Sequence, residues 1–312
     1  VTGQTEDVRV WISDRPIELA SLWSTWRRGS GDPTYRITAG RHWRGLLTPA
    51  GPATLAVSVR ADLREVRAQA WGAGSDWVLD QLPAMLGDAD DTAGDFQPQH
   101  PVLQQAWQRH RHWRVTRGGM VWPALYAAIL EQKVTGQEAF GGQGRLVRAY
   151  GSPAPGSATE VKELGLMVPP GPETVRQIPS WEWIRMPVGP ERSAAVVRAA
   201  AVADRLEESL AMSSQDADRR LQAVPGVGPW TSAEVRQRAH GDPDAISLGD
   251  YHVGKNIGWA LAGEREADDA RAAELLQPYL GHRYRVQRLL EMAGATRPRR
   301  GPRMAPRRHL PR

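Results

Sequence analysis

Cysteine is absent from the 312 residues, and that one absence removes three chemistries together. A disulfide-stapled secreted scaffold, a thiolate zinc or iron–sulfur site and a cysteine nucleophile are all excluded. The chain is therefore expected in a reducing compartment. No run of about 18 apolar residues occurs, and charges are spread through the first turns of sequence, so neither a membrane-spanning helix nor a secretory leader is expected. A cytoplasmic, soluble protein is the expectation. The sequence opens on Val1, so a start residue or a short upstream piece is expected to be missing. Lysine is scarce, with three in all (Lys133, Lys162, Lys255), and the eight histidines show no metal-ligand spacing. His110 and His112 flank Arg111 in a basic run and look solvated.

At roughly 100–200 residues per domain, this length suggests two domains. The net charge of +5 and the pI near 9.9 would ordinarily point to an anionic partner such as nucleic acid. Their distribution changes that reading. Seven arginines and no acid lie from Arg297 to Arg312, so the rest of the chain carries −2. Any nucleic-acid surface on the body must be local, and residues 101–150 are suited to it with a charge of +5. A solvated helix face balanced by acids elsewhere explains that stretch equally well. The Pro- and Arg-rich end, 297–312, cannot bury apolar area and is expected to be disordered. It offers either sequence-independent phosphate attraction or mere solubility.

From about 34 to 71 the pattern is short and β-rich, with Val57 and Val59 alternating with Ala56 and Ser58 as in a half-buried antiparallel strand. A helix follows, opened by Ser75, with Trp77, Val78, Leu82, Met85 and Leu86 at helical spacing. The acidic stretch Asp88 to Pro101 reads as a linker. Beyond it, helical periods separated by Gly and Pro take over, near 101–113, 121–135, 137–150, 190–210, 215–223, 229–239, 251–262, 267–278 and 282–293, with 151–189 irregular. The fold class is thus mainly α with a small N-terminal α+β region. The expected division is 1–96, then an all-helical 97–296, then the basic end 297–312.

One string stands out: Leu221-Gln222-Ala223-Val224-Pro225-Gly226-Val227-Gly228-Pro229-Trp230-Thr231. Two glycines two apart permit a tight turn with positive φ, and Pro229 can open the next helix. Such a hairpin turns backbone N–H groups outward at a helix N-terminus, where a phosphate is favoured by free donors and by the dipole. A bare Gly-x-Gly turn would be weak grounds, but the full string resembles the helix-hairpin-helix of DNA-binding proteins. Downstream comes a Gly/Pro-rich loop, Gly241-Asp242-Pro243-Asp244-Ala245-Ile246-Ser247-Leu248-Gly249-Asp250-Tyr251, with Asp250 about 20 residues beyond the hairpin, leading into an apolar-periodic run. Hairpin, loop and Asp together resemble the helix-hairpin-helix DNA glycosylase superfamily, and within it the bacterial 3-methyladenine glycosylase type two branch. Ala128 to Thr135, the Ala/Arg helix from Arg192 to Leu206, and the N-terminal α+β region fit the same resemblance, which spans roughly 30–295.

The resemblance implies a role for each matched residue. Asp250 becomes the catalytic carboxylate, a fixed negative charge that stabilises the cationic sugar or activates water as the N-glycosidic bond breaks. Its plainer reading is a helix N-cap, and the two are compatible. Trp230 occupies the position where strand-cleaving members carry an amine nucleophile, so a monofunctional enzyme that leaves an abasic site is implied. An indole there also suits a cationic alkylated base, the attraction being about 0.5–2 kcal/mol. Trp122, Tyr126 and Tyr251 are candidate further walls of the base pocket, with core packing as the competing explanation. Gly226, Gly228 and Thr231 are implied in DNA binding, and Gln132 or Lys133 as the wedge that fills the gap left by an extruded nucleotide. Backbone carbonyls of Gln222, Val224 and Val227 map onto a site for K⁺ or Na⁺; no other cofactor is implied.

The activity expected is base excision repair: a DNA glycosylase removing alkylated purines of the 3-methyladenine type. Its partner would be double-stranded DNA holding a damaged base, with no membrane and a monomeric protein. A non-catalytic sensor of damaged DNA and a glycosylase for oxidised bases are the rivals.

Overall fold

The computed structural model describes residues 6–156 and 160–298. The arginine-rich end beyond 298, expected to be disordered, lies outside the described residues. Five antiparallel strands open the chain: β1 (Glu6–Ile12), β2 (Tyr35–Thr38), β3 (Arg41–Thr48), β4 (Gly51–Arg60) and β5 (Glu65–Trp71), in the order β1-β5-β4-β3-β2. A short helix α1 (Leu19–Leu22) follows β1, and α2 (Ser75–Met85) lies across the sheet. Val78, Leu79, Leu82 and Met85 of α2 meet Leu55, Val57, Val66 and Ala68 in one core.

The expected half-buried strand is instead covered on both faces. Ala56, between Leu55 and Val57, turns to a second cluster with Trp43, Trp71, Val161 and Leu166, because Ala154 and the residues from 161 to 166 lie over the sheet's other side. There α6 (Glu160–Leu164) and a small ribbon of β6 (Ser152–Pro153) and β7 (Met167–Val168) follow the helices α3 (Pro101–Arg109), α4 (Val121–Glu131) and α5 (Gly136–Tyr150). Gly45 is required at this crossing, since a Cβ there would stand 2.1 Å from the Met167 carbonyl oxygen.

The remaining helices are α7 (Pro172–Arg176), α8 (Ser180–Arg185), α9 (Pro190–Ala201), α10 (Ala203–Glu207), α11 (Ser214–Gln222), α12 (Pro229–Val235), α13 (Val253–Ala262), α14 (Asp269–Leu275) and α15 (Arg283–Met292). The single helix expected over 190–210 is broken at Val202, whose φ of −126° is not helical. Helix α12 continues into a π-helical turn, Arg236–His240, ended by Gly241 at φ 69°. Helix α4 is buried almost all round among α9, α12 and α5, so it carries no polar face. Its two leading amides, from Val121 and Trp122, donate to the Glu207 carboxylate at 2.8 Å each.

The stretch expected to be a linker is anchored. Asp90 receives both arms of Arg285 at 2.9 and 2.7 Å and the Val115 amide at 2.8 Å, and the two charged side chains are 1% and 0% exposed. Trp113, Val115 and Met120 enter the sheet's core, so apolar packing runs across position 96 without interruption.

Candidate active site

Helices α11 and α12 form the hairpin. Ser213 caps α11, and Asp218 on it accepts from Ser232 of α12 at 2.6 Å, which ties the two helices side by side, and from Gln222 within α11 at 2.8 Å. At the turn the two glycines differ. Gly226 has φ +98°, and a Cβ on it would stand 2.7 Å from that of Ala195, so only glycine fits. Gly228 has φ −99° and ψ −176°, extended backbone open to any residue, and a Cβ there would meet nothing within 4 Å. The expectation that both need positive φ is corrected: Gly228 leaves empty space outside the turn. The amides of Gly226, Gly228, Trp230 and Thr231 find no acceptor among the described residues, as the first turn of a helix dictates.

Beyond the turn, one face of α12 is matched against the loop that holds Asp250. Trp230, Glu234 and Gln237 follow one another at helical spacing, and the loop runs past them in the opposite direction. Gly249 lies against Trp230, where a Cβ on the glycine would be 3.6 Å from that of the indole. Ser247 donates to Glu234 at 2.6 Å and accepts from Gln237 at 2.7 Å. The Gln237 amide also reaches the Ala245 carbonyl at 2.7 Å. From the other side Gly249 donates to Asp269 at 2.8 Å, and Arg285 donates its amide to the Pro243 carbonyl at 3.1 Å. Three elements thus fix the loop before it reaches Asp250.

Burial opposes charge on Glu234, but the Arg238 guanidinium at 2.7 Å and the Ser247 hydroxyl more than offset it and hold the carboxyl below the usual range. Among residues that sequence reasoning did not single out, Glu234, Gln237 and Ser247 are the most telling. The signal available was the Glu234–Arg238 spacing of four, an ion-pair spacing on a helix.

Asp250 is half-buried. Its Oδ1 accepts from the amides of His252 (2.7 Å) and Val253 (3.1 Å) at the entry to α13, whose N-cap position is His252, while Oδ2 takes no hydrogen bond among the described residues. The two amides therefore fix the carboxylate and leave one oxygen available. Trp230, also half-buried, has an indole N–H enclosed without an acceptor. Tyr251 is 69% exposed, edge-on to His252, with the Lys255 ammonium 4.1 Å from its ring centre.

Trp122 and Tyr126 stand elsewhere. The Trp122 indole is buried and donates to the Pro170 carbonyl at 3.0 Å, with Tyr126 tilted against it at 5.5 Å. Tyr126 lines a cleft between the sheet and α4, and burial pushes its hydroxyl pKa up. Packing accounts for Trp122, while Tyr126 is both packed and part of the cleft wall. Gln132 bridges to the hairpin, its amide donating to the Gly226 carbonyl (2.9 Å) and to Thr231 (2.8 Å). Lys133 is exposed in the left-handed region at φ 54°, at the tip of the turn between α4 and α5. Arg198, exposed on α9, reaches the Pro225 carbonyl at 2.9 Å and adds a cation beside the turn.

The candidate cation donors lie on the same turn. The carbonyls of Gln222 and Val227 accept no hydrogen bond among the described residues, and that of Val224 accepts one, from Val227, at 2.9 Å. Three neutral oxygens with spare lone pairs at one turn suit a hard monovalent ion. Among the described residues no group of three or more His, Asp or Glu is placed to hold a metal, and no helix is long and apolar enough to cross a membrane.

No family model matches the chain. In sequence it is 33% identical over 130 residues to a probable bifunctional transcriptional activator/DNA repair enzyme AlkA of Mycobacterium tuberculosis, a match covering 39% of this chain and 24% of that protein. The chain thus spans about a quarter of that relative's length. In structure it is similar to a 3-methyladenine DNA-glycosylase of Archaeoglobus fulgidus, with a TM-score of 0.75, 14% identity and coverage of 92% of this chain and 98% of that one. An 8-oxoguanine glycosylase/lyase of Clostridium acetobutylicum, solved with double-stranded DNA, gives a TM-score of 0.69 at 10% identity, covering 92% and 94%.

Proposed function

We propose that this chain, whose fold is that of the helix-hairpin-helix DNA glycosylase superfamily, is a DNA glycosylase of base excision repair that releases alkylated purines and leaves an abasic site. The observation that supports it most is the fixed Asp250 carboxylate, one oxygen tied to two amides and the other available, on a loop fastened along the helix that starts at the hairpin. In this reading the hairpin amides and Arg198 hold a DNA phosphate, which positions the duplex without reading its sequence. Lys133 enters the stack as the damaged nucleotide leaves it, while Gln132 braces that turn against the hairpin. The extruded sugar comes to Asp250. As the bond from C1′ to the base nitrogen breaks, positive charge grows on the sugar, Asp250 Oδ2 stabilises it, and water adds to C1′ with loss of a proton.

A purine alkylated on a ring nitrogen carries its positive charge into the reaction, so it departs without a strong acid to protonate it. The Trp230 face favours such a base over a neutral one. Bound K⁺ or Na⁺ at the Gln222, Val224 and Val227 carbonyls would hold the turn in shape while the amides face the phosphate. Helices 97–296 supply this chemistry, and the sheet region walls it from one side. The competing substrate class, oxidised purines, draws on Lys255, the described amine nearest to Asp250 in sequence. Incubation with randomly methylated duplex, then chromatography of the freed bases, tests the proposal; 3-methyladenine in the soluble fraction and no borohydride-trapped protein–DNA adduct are expected. Release of 8-oxoguanine with a trapped adduct would replace it with the oxidised-base reading.

A further inference from the structure

The cleft between the sheet and α4 has about 70 Å³ of water-accessible space and is lined by Trp26, Arg28, Thr34, Arg44, Tyr126 and Arg238, among others. Its cations are not equally partnered. Arg28 meets Glu131 at 3.1 Å and Arg238 meets Glu234 at 2.7 Å. The one nearby carboxylate left, Asp32, is taken up by the Arg28 amide, the Thr34 amide and the Thr34 hydroxyl at 2.8 Å each. Arg44 has no salt bridge among the described residues; its guanidinium stacks 4.2 Å from the Trp26 ring centre, and its NH1 is buried with no hydrogen-bond partner. The Trp26 indole N–H, on the same cleft, is also buried without an acceptor. Burial lowers the Arg44 pKa to about 10, which still leaves it charged at neutral pH.

A guanidinium with one covered, unbonded nitrogen and an idle indole N–H, on two residues that line one cleft, are donors without an acceptor, and leaving them so is costly. We propose that this cleft binds a phosphoryl oxyanion, held by Arg44 through charge-assisted hydrogen bonds with the Trp26 N–H as second donor. Aromatic walls at Trp26 and Tyr126 leave the source of the group open between inorganic phosphate and a nucleoside monophosphate. Neither Asp250 nor Trp230 lines the cleft. The proposal therefore stands or falls separately from the glycosylase reading.

The test is thermal unfolding of the full chain at constant ionic strength, titrating potassium phosphate or deoxyadenosine monophosphate against potassium chloride. A saturable rise in Tm of roughly 2–4 °C over the chloride control is expected, lost in Arg44→Gln and partly kept in Arg44→Lys. A tenfold lower half-saturation for the nucleotide would assign the source to it; equal values would assign it to free phosphate. If Arg44→Gln does not fold, Trp26→Phe decides: affinity at least threefold weaker supports the site, and unchanged affinity overturns it. Absence of any shift beyond chloride, or a shift undiminished in a folded Arg44→Gln, overturns it as well.

Discussion

The two hairpin glycines should separate stability from DNA binding, because the structure gives them opposite reasons to be glycine. Gly226→Ala places a side chain at φ +98° and drives its Cβ to 2.7 Å from that of Ala195 on α9. The strained backbone and the overpacking together should cost about 2–4 kcal/mol. Gly228→Ala is different: its backbone is extended and its Cβ meets nothing within 4 Å. Folding stability should stay constant or rise by up to ~1 kcal/mol, through loss of freedom in the unfolded chain. The added methyl instead occupies the space through which a phosphate would reach the hairpin amides. Losing one such charged hydrogen bond, about 1.5–3 kcal/mol, corresponds to a roughly 10- to 150-fold loss of affinity. Urea unfolding and fluorescence anisotropy on an abasic duplex at three salt concentrations measure both quantities. If Gly228→Ala is destabilised as much as Gly226→Ala, or binds DNA within twofold of wild type, the reasoning about this turn fails.

Three further outcomes are expected. Asp90→Asn leaves Arg285 buried without its counter-charge and should lower the urea-derived stability by about 3–5 kcal/mol; a loss below 1 kcal/mol would show that this anchor matters little. Ser247→Ala removes the hydroxyl that joins Glu234 to Gln237, so it should slow base release by about 10- to 100-fold while DNA affinity holds, and an unaltered rate would mean the loop is positioned without it. Burial pulls the His240 pKa from near 6.5 to about 4. Below pH 6.5 the unfolded chain gains this proton and the folded chain does not, so stability is full above that pH and declines down to about 4, by at most ~3 kcal/mol. His240→Gln should flatten that part of the stability–pH curve, and an unchanged slope would contradict the assignment.

How much of this could be read beforehand depended on where the determining contacts lay. Helices α4, α5, α11, α13 and α15 lie within a few residues of their expected bounds, because capping and apolar period are local properties. Strand β1 was not anticipated: Val8, Val10 and Ile12 alternate as a strand should, but they face outward, and Asp7 before them and Arg9 between them are charged. The two-sided burial of β4 depends on a segment about 100 residues away, which no local pattern records. At the site, the hairpin string and Asp250 were visible as motif and helix entry. The Glu234–Ser247–Gln237 fastening was not, since it joins residues whose types are ordinary and whose partnership exists only once the loop lies along the helix. Likewise the indole of Trp122 is taken up by packing and by the Pro170 carbonyl, and Tyr126 lines a cleft, neither of which a local pattern records.

The most direct measurement concerns the free oxygen of Asp250. Asp250→Asn retains Oδ1 for the His252 and Val253 amides, so these two hydrogen bonds and the fold should persist while the charge is gone. Single-turnover release of 3-methyladenine from methylated duplex should fall by at least about 100-fold, with affinity for abasic DNA within threefold of wild type. Release at the wild-type rate by a folded, DNA-binding Asp250→Asn protein would contradict the account.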